Sequence, residues 1–183
     1  MHILSPPSHT SPPLFPSGVD EITDKAQKEA RHEETLFELE ASWADVNFTV
    51  FPYKDTDVGL VRMDENLVEQ LEADQMAVQS IIASRYGHFK QDAGEWQRVL
   101  NSVSEIVALL LDIQKTWSYL EPLFIGSEEV KKELPQDAKK FEDVDKQVKE
   151  ILKKATFQMN VKMTCEEPGM NVATLTLTTL TFS

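Results

Sequence analysis

The chain has 183 residues, of which 41% are hydrophobic and 27% charged, and its formal net charge is −13. This length is enough for one ordinary domain with a buried core. The acidic balance disfavours nucleic acid and anionic membranes as partners, since binding to either needs clustered lysine and arginine. The single cysteine, Cys165, cannot form an intrachain disulfide and fits a reducing compartment. No apolar run approaches the ~20 residues of a membrane-spanning helix.

The first part of the chain is predicted to contain a leader, two helices and a hairpin. Residues 1–18 are rich in proline and serine without a helical or strand period, which predicts a disordered leader. Apolar residues then recur at helical spacing among charged ones and predict a helix over 20–45. The β-branched and aromatic residues of 46–51 and 60–63 flank a turn-forming sequence, so they predict a β-hairpin. A second amphipathic helix is expected over 64–85.

The clearest pattern is a seam of apolar residues over 92–120. These residues alternate three and four positions apart, as in helices that pack into bundles. Pro122 is expected to end this helix, because a proline disfavours helical conformation in the residue before it. The seam consists of Trp96, Leu100, Val103, Ile106, Leu110, Ile113, Trp117 and Leu120.

Two shorter helices and a threonine-rich end are predicted to follow. Ser127 is the expected N-cap of a short helix, and a last helix is predicted over 136–155. The residues of 156–183 are nearly uncharged, and their alternation near the end is typical of a strand. Because no partner strand lies nearby in sequence, we expect a weakly structured tail there. The predicted fold is mainly α, an elongated antiparallel helical bundle with one β-hairpin inserted between the first two helices.

The sequence carries no pattern for nucleotide binding, metal binding or catalysis. Its six glycines form neither GxxxxGK[ST] nor GxGxxG. His32-Glu33 begins an HExxH-like sequence, but position 36 is Leu36, so the second imidazole is missing. Cys165 has only Lys162 nearby as a basic group that could activate its thiol. We therefore predict no catalytic, cofactor-binding or metal-binding residue and no small-molecule substrate.

One compound motif carries a resemblance to a known family. It reads QKTWSYLEPLFIGSEEV, followed by LPQDAKKF. This motif resembles the N-terminal part of the linker in a dynein heavy chain, and the likeness runs over about residues 20–155. The sequence of this motif is closer to that of axonemal heavy chains than to that of cytoplasmic ones. The residues that carry the motif are Gln114, Trp117, Leu120, Glu121, Phe124 and Phe141.

The resemblance implies a mechanical role. In this family the linker is a stack of helical bundles over a ring of ATPase modules, and its bending with nucleotide state drives movement along the microtubule. The nucleotide sites belong to the ring and the microtubule site to a stalk, and none of their motifs occurs here. The implied partners are the motor ring or other dynein subunits. The implied location is cytoplasmic, at the cytoskeleton of the ciliary axoneme.

Two functional hypotheses follow. In the first, 19–155 is a partial linker domain, a truncated mechanical element without enzymatic activity that is flanked by non-family ends at 1–18 and 156–183. Such a fragment is expected to expose its seam where further bundle helices belong. In the second, the chain is an independent acidic adaptor that binds a partner helix or self-associates through the 92–120 seam. The tryptophans lie on apolar stripes and are expected to be core anchors, with a partner-binding hot spot as the alternative.

Overall fold

The computed structural model describes residues 18–180, so residues 181–183 and all of the predicted leader at 1–18 except Gly18 lie outside the described part of the chain. Within that part the chain forms seven helices and one two-stranded sheet. The prediction of a mainly α fold with one hairpin between the first two helices is confirmed. In chain order the elements are α1 Gly18–Ala44, β1 Thr49–Pro52, β2 Gly59–Arg62, α2 Glu65–Ala83, α3 Lys90–Phe124, α4 Glu128–Glu133, α5 Pro135–Gln158, α6 Val161–Glu166 and α7 Val172–Leu180.

The long helix α3 lies at the centre of the core. It has 35 residues, which at 1.5 Å per residue gives a length of ~52 Å. The helices α2, α5, α6 and α7 and the strand β2 all contact it. A helix that is covered on several sides buries more than one stripe, and α3 buries Leu100, Ile106, Leu110, Ile113 and Trp117 to 2% exposure or less. None of the described helices is both long enough and apolar enough to cross a membrane.

The hairpin joins the core through β2. The two strands pair antiparallel, with Thr49 opposite Arg62 and Pro52 opposite Gly59. Gly59 lies against α5, and a Cβ atom at this position would be 2.8 Å from Thr156 Cγ2. Because glycine has no side chain, β2 can approach α5 more closely here than another residue would allow.

Pro122 does not end the long helix, so that prediction is wrong: α3 continues to Phe124. A proline inside a helix lacks the N–H that would bond the carbonyl four residues earlier, which here is Ser118 O. The hydroxyl of Tyr53, in the hairpin loop, lies 3.2 Å from that carbonyl and can donate to it. This hydroxyl has one hydrogen, which it shares between Ser118 O and Glu121 Oε2 at 3.0 Å, so it compensates in part for the missing donor.

The prediction of a weakly structured tail is wrong for residues 156–180, which are helical over most of their length. The Oδ1 atoms of Asn160 and Asn171 each accept a hydrogen bond, both 2.9 Å long, from the backbone N–H three residues later. These are N-caps of α6 and α7. An isolated strand would leave its backbone groups unpaired, whereas a helix pairs them internally. The fully buried Leu175 of α7, which packs on α3, adds apolar burial that a frayed tail would lack.

Asn160 also fastens the C-terminal segment to α1. Its Nδ2 donates to Ala44 O at 2.9 Å and to Trp43 O at 3.3 Å, at the end of α1. The neighbouring backbone bond runs from Val161 N–H to Val46 O and is 2.9 Å long. One buried amide thus satisfies the end of α1 and the start of α6 together.

Candidate functional site

The residues of the family motif meet the hairpin and α5 at one cluster, which we call the motif junction. On α3, positions 114, 117 and 121 are three, four and seven residues apart, so they lie on one face of the helix. That face contacts both the hairpin and α5. The motif junction comprises Tyr53, Val61, Gln114, Trp117, Glu121 and Asp145.

Gln114 pairs with the backbone of β2. Val61 N–H donates to Gln114 Oε1 at 2.8 Å, and Gln114 Nε2 donates to Val61 O at 3.0 Å. The primary amide thus reproduces the paired N–H and C=O bonds that a neighbouring strand would make. Because both residues are buried, loss of the amide would leave a donor and an acceptor unsatisfied, at a cost of about 1–3 kcal/mol each.

Trp117 joins α3 to α5 and to the hairpin loop. Its side chain is fully buried, and Nε1 donates to Asp145 Oδ1 at 2.9 Å. The second oxygen of Asp145 accepts from Lys149 Nζ at 2.7 Å, so the buried carboxylate is paired and hydrogen-bonded. The ring of Tyr53 packs on the indole with centroids 4.7 Å apart and planes tilted by 48°. One indole therefore contacts two other elements with fixed geometry.

Glu121 on α3 contacts two residues of the hairpin loop through one carboxylate oxygen. Its Oε2 lies 2.5 Å from Lys54 Nζ and 3.0 Å from Tyr53 Oη. Burial raises the pKa of Tyr53 above its usual value of 10.0. The hydrogen bond to Glu121 raises the pKa of Lys54 above its usual value of 10.5. At neutral pH the loop therefore presents a neutral phenol donor and an ammonium ion to one carboxylate.

The rest of the motif shapes the end of α3 and the turn into α4. Phe124 stacks on Phe141 of α5, with ring centroids 5.1 Å apart and planes at 24°. A Cβ atom at Gly126 would lie 2.7 Å from Pro122 O, so this turn needs a residue without a side chain. Ser127 Oγ accepts from the backbone three residues on, as expected for the N-cap of α4.

The seam residues lie inside the chain's own core. Trp96 and Leu120 are half-buried and pack against that core. The expectation that a linker fragment exposes this seam is wrong for the described chain, because α6 and α7 also pack on α3. Both helices lie in the segment that was predicted to be a weakly structured tail. The six fully buried members are Leu100, Val103, Ile106, Leu110, Ile113 and Trp117.

The cysteine and the histidine that were considered as candidate catalytic or metal-binding residues do not form a site with other such groups in the described part of the chain. Burial raises the pKa of Cys165 to about 12, which keeps its thiol protonated and unreactive at neutral pH. His32 Nδ1 is buried with no hydrogen-bond partner in the described part of the chain. Among residues 18–180 no group of three or more His, Cys, Asp or Glu side chains could hold a metal ion. The motif junction therefore holds elements together, and its groups are arranged as hydrogen-bond partners.

The partners of the motif residues were missed by the sequence analysis. Asp145 had a readable signal, because it falls on the apolar stripe between Phe141 and Val148, and its counter-ion Lys149 follows four residues later. Tyr53 had no such signal, since the hydrogen-bond partners of its hydroxyl lie 65 and 68 residues away. Asn160 had a readable signal, because asparagine is a preferred N-cap, although the threonine alternation further along favours a strand.

Comparison with known proteins identifies the family. A family described as "Dynein heavy chain, N-terminal region 2" matches residues 12–180. The chain is 42% identical over 157 residues to the dynein alpha chain of the flagellar outer arm of Chlamydomonas reinhardtii, covering 85% of this chain. It is 39% identical over 150 residues to human dynein axonemal heavy chain 9, covering 81% of this chain.

These relatives are far longer than this chain, which spans 4% of the length of the Chlamydomonas protein and 3% of the human one. The family match includes residues 156–180, so the prediction that this end lies outside the family pattern is wrong. The predicted likeness to axonemal heavy chains is confirmed. The chain belongs to the dynein heavy chain family.

Proposed function

We propose that this chain is part of the linker of an axonemal dynein heavy chain and serves there as a rigid mechanical element. The observation that supports this role is the motif junction. A lever must transmit displacement without deforming, and a bonded junction between its elements is what prevents deformation. In this chain the motif that resembles the family's linker is the one that joins the hairpin and α5 to α3.

The contacts of the junction suit that role because they are directional and buried. The Gln114–Val61 pair fixes β2 along α3, since two hydrogen bonds in one plane define a register. The Trp117–Asp145 bond fixes the position of α5 against the same helix. Buried and fully paired polar networks make a unique arrangement stiffer than apolar packing alone does. The ~52 Å length of α3 would carry a displacement across much of a domain.

Chemistry would be supplied by other parts of the parent protein. In this proposal the chain hydrolyses no ATP itself, and movement would arise from nucleotide-driven changes in a ring that the chain does not contain. Its partners would be that motor ring or other dynein subunits. Its place would be the cytoskeleton of the ciliary axoneme, since the relatives are named as axonemal or flagellar dyneins.

The adaptor hypothesis has less support. It requires an apolar stripe on 92–120 that is free to take up a partner helix. Six of the eight seam residues are buried by other elements of this chain, so a partner would have to displace them. We therefore retain the linker role.

A chimera tests the proposal. Residues 18–180 replace the matching segment of the Chlamydomonas alpha chain, and microtubule gliding and ATPase rate are both measured. The intact chimera should glide. The same chimera with Gln114→Ala and Trp117→Phe should glide markedly more slowly at an unchanged ATPase rate, because the element would deform where it should transmit force. Tyr119→Ala, on a side chain that is 72% exposed, is the matched control and should change neither quantity.

Gliding at full speed with the junction disrupted would contradict a lever role for this segment. A loss of ATPase activity in parallel with gliding would also contradict it, because the defect would then lie in the ring. Sedimentation of the isolated chain provides an independent check. A stable dimer would favour the adaptor instead.

A further inference from the structure

A groove lies between α1, the start of α3 and α6, on a face that the motif junction does not use. It has a volume of about 470 Å³ and is open to solvent. We call it the acidic groove. The residues that line it are Glu33, Leu36, Phe37, Glu40, Phe89, Asp92, Glu95, Trp96, Val99 and Lys162.

The floor of the acidic groove is apolar and partly exposed. Phe37 on α1 is 72% exposed, although it is a large aromatic residue on a helix whose neighbouring turns are charged. Phe89, Trp96 and Val99 are only half-buried from the α3 side. Large aromatic side chains that stay accessible within a concave surface are typical of places where another protein inserts a side chain.

Carboxylates surround this floor. Glu33 lies one turn before Leu36 and Phe37 on α1, and Glu40 lies one turn after them. Asp92 and Glu95 line the groove from the α3 side. None of these four forms an ion pair with any residue in the described part of the chain, unlike many carboxylates elsewhere on the surface. The lining cation Lys162 is paired with Glu166, at 2.9 Å. The groove thus presents uncompensated negative charge around an apolar base.

We propose that the acidic groove binds a basic amphipathic helix of a partner protein. An apolar side chain of that helix would enter the floor, and lysine or arginine on the flanking turns would reach the carboxylates of both walls. An arginine could also stack on Phe37 or Trp96 while its charge faces Glu33 or Glu95.

Two other occupants have the wrong chemistry. Residues 1–17 contain no lysine or arginine and only two histidines, so they bring little positive charge to the rim at neutral pH. A second copy of this chain would bring another net charge of −13 to an already negative surface. A cationic segment from outside these 183 residues is the occupant that fits. This inference does not depend on the linker role, because it uses none of the motif junction.

The test uses the full chain and two synthetic amphipathic helices about five turns long, one of leucine and lysine and one of leucine and glutamate. Binding is followed by tryptophan fluorescence. Trp43 and Trp117 are at most 1% exposed, so a ligand in the groove should change the emission of Trp96. We expect saturable binding of the lysine helix, weakened by salt, and none of the glutamate helix.

Matched charge variants locate the site. Glu33→Gln with Glu95→Gln should weaken binding of the lysine helix by about fivefold, as expected for two partly exposed ion pairs. Glu69→Gln with Glu142→Gln changes the net charge equally on exposed positions of α2 and α5, and it should leave binding unchanged. Phe37→Ser should weaken binding as well without affecting folding, because the side chain is largely exposed.

Equal losses in the two charge-matched variants would overturn the proposal, since attraction to net charge alone would explain them. Failure of the lysine helix to bind would overturn it too, as would equal binding of the glutamate helix. Unchanged binding by Phe37→Ser would show that the floor takes no part. Thermal unfolding of each variant, expected to match the parent, confirms that the comparison is between folded chains.

Discussion

The motif junction and the first half of α1 are two helical regions of one chain that are held in place very differently. At the junction, α3 buries Gln114 and Trp117 and bonds them to β2 and α5. Along residues 18–34, α1 leaves Val19 and Ile22 about 70% exposed and buries none of its side chains. The same secondary structure therefore rests on tertiary packing in one region and mainly on its own backbone bonds in the other.

A polar cluster around Asp24 ties the first half of α1 to the following elements. Asp24 Oδ2 accepts from Tyr86 Oη at 2.7 Å and from Arg85 Nη2 at 3.0 Å. Both partners follow α2, so this contact links α1 to the α2–α3 connection. It lies near solvent, where ion pairs contribute little to stability. We therefore expect the junction to open only with global unfolding and the start of α1 to open locally.

Truncation of the central indole should have the largest effect on this contrast. Trp117→Ala removes a fully buried side chain and the donor to Asp145, and we expect it to lower the free energy of unfolding by about 3–5 kcal/mol. Urea unfolding followed by circular dichroism measures the change. Tyr119→Ala, two residues away and 72% exposed, is the control and should stay within about 0.5 kcal/mol of the parent. Similar losses for the two variants would mean that the indole is not the anchor described here.

Removal of the amide that pairs with β2 should have the next largest effect. Gln114→Ala leaves Val61 N–H and C=O without their side-chain partners, and the expected loss is about 2–4 kcal/mol. Hydrogen exchange at Val61 should accelerate more than exchange within α3. Gln91→Ala, exposed in the first turn of α3, should change neither quantity. An unchanged stability for Gln114→Ala would show that water replaces the amide at no cost.

Two glycines at opposite ends of α3 should respond to alanine with opposite signs. At Gly126 the added Cβ meets Pro122 O at 2.7 Å, so we expect a loss of about 1–3 kcal/mol. Gly94 lies inside α3 with nothing within 4 Å of its added Cβ, so Gly94→Ala should stabilise the chain by about 0.5–1 kcal/mol. Both are measured as shifts of the urea midpoint. Stability changes of the same sign in the two variants would contradict the steric explanation for glycine in the turn after α3.

The contact at the start of α1 should give the smallest and most local effect. The hydrogen bond from Tyr86 is the largest cause that holds the pKa of Asp24 below its usual value of 3.8. Since the folded pKa is lowered, the stabilisation is present above the usual value and is lost as pH falls through the folded pKa. Asp24→Asn should accelerate amide exchange over 18–34 at neutral pH and leave the global unfolding midpoint unchanged. The difference between variant and parent should shrink at acidic pH. A shift of the global midpoint would place α1 inside the cooperative core.

The sequence predicts the elements of this chain better than the contacts between them. The stripes of α3 and α5 and the turn chemistry of the hairpin are local signals, and each predicted element was found within a few residues. Pro122 and the threonine-rich end were misread because their outcome depends on distant groups. Tyr53 Oη lies within hydrogen-bond distance of the carbonyl that Pro122 leaves without its helical donor. Packing on α3 stabilises α7 as a helix against the β preference of its threonines.

The motif itself was visible in the sequence, but its physical meaning was not. Gln114 lies next to the seam residue Ile113, and nothing local shows that its partner is the backbone of Val61, 53 positions away. The acidic groove was likewise out of reach. Its walls come from α1 and α3, and only the fold brings Glu33 and Glu95 to the same surface.

We expect the motif junction to make the hairpin, α3 and α5 one cooperative unit. Native-state hydrogen exchange of the full chain in increasing urea tests it most directly, by following Val61 N–H beside the core amides of α3. We predict that both exchange through the same global opening, with the same free energy and urea dependence, while amides of 18–34 exchange at lower urea. Exchange of Val61 N–H through a smaller, local opening, with α3 still protected, would contradict the claim.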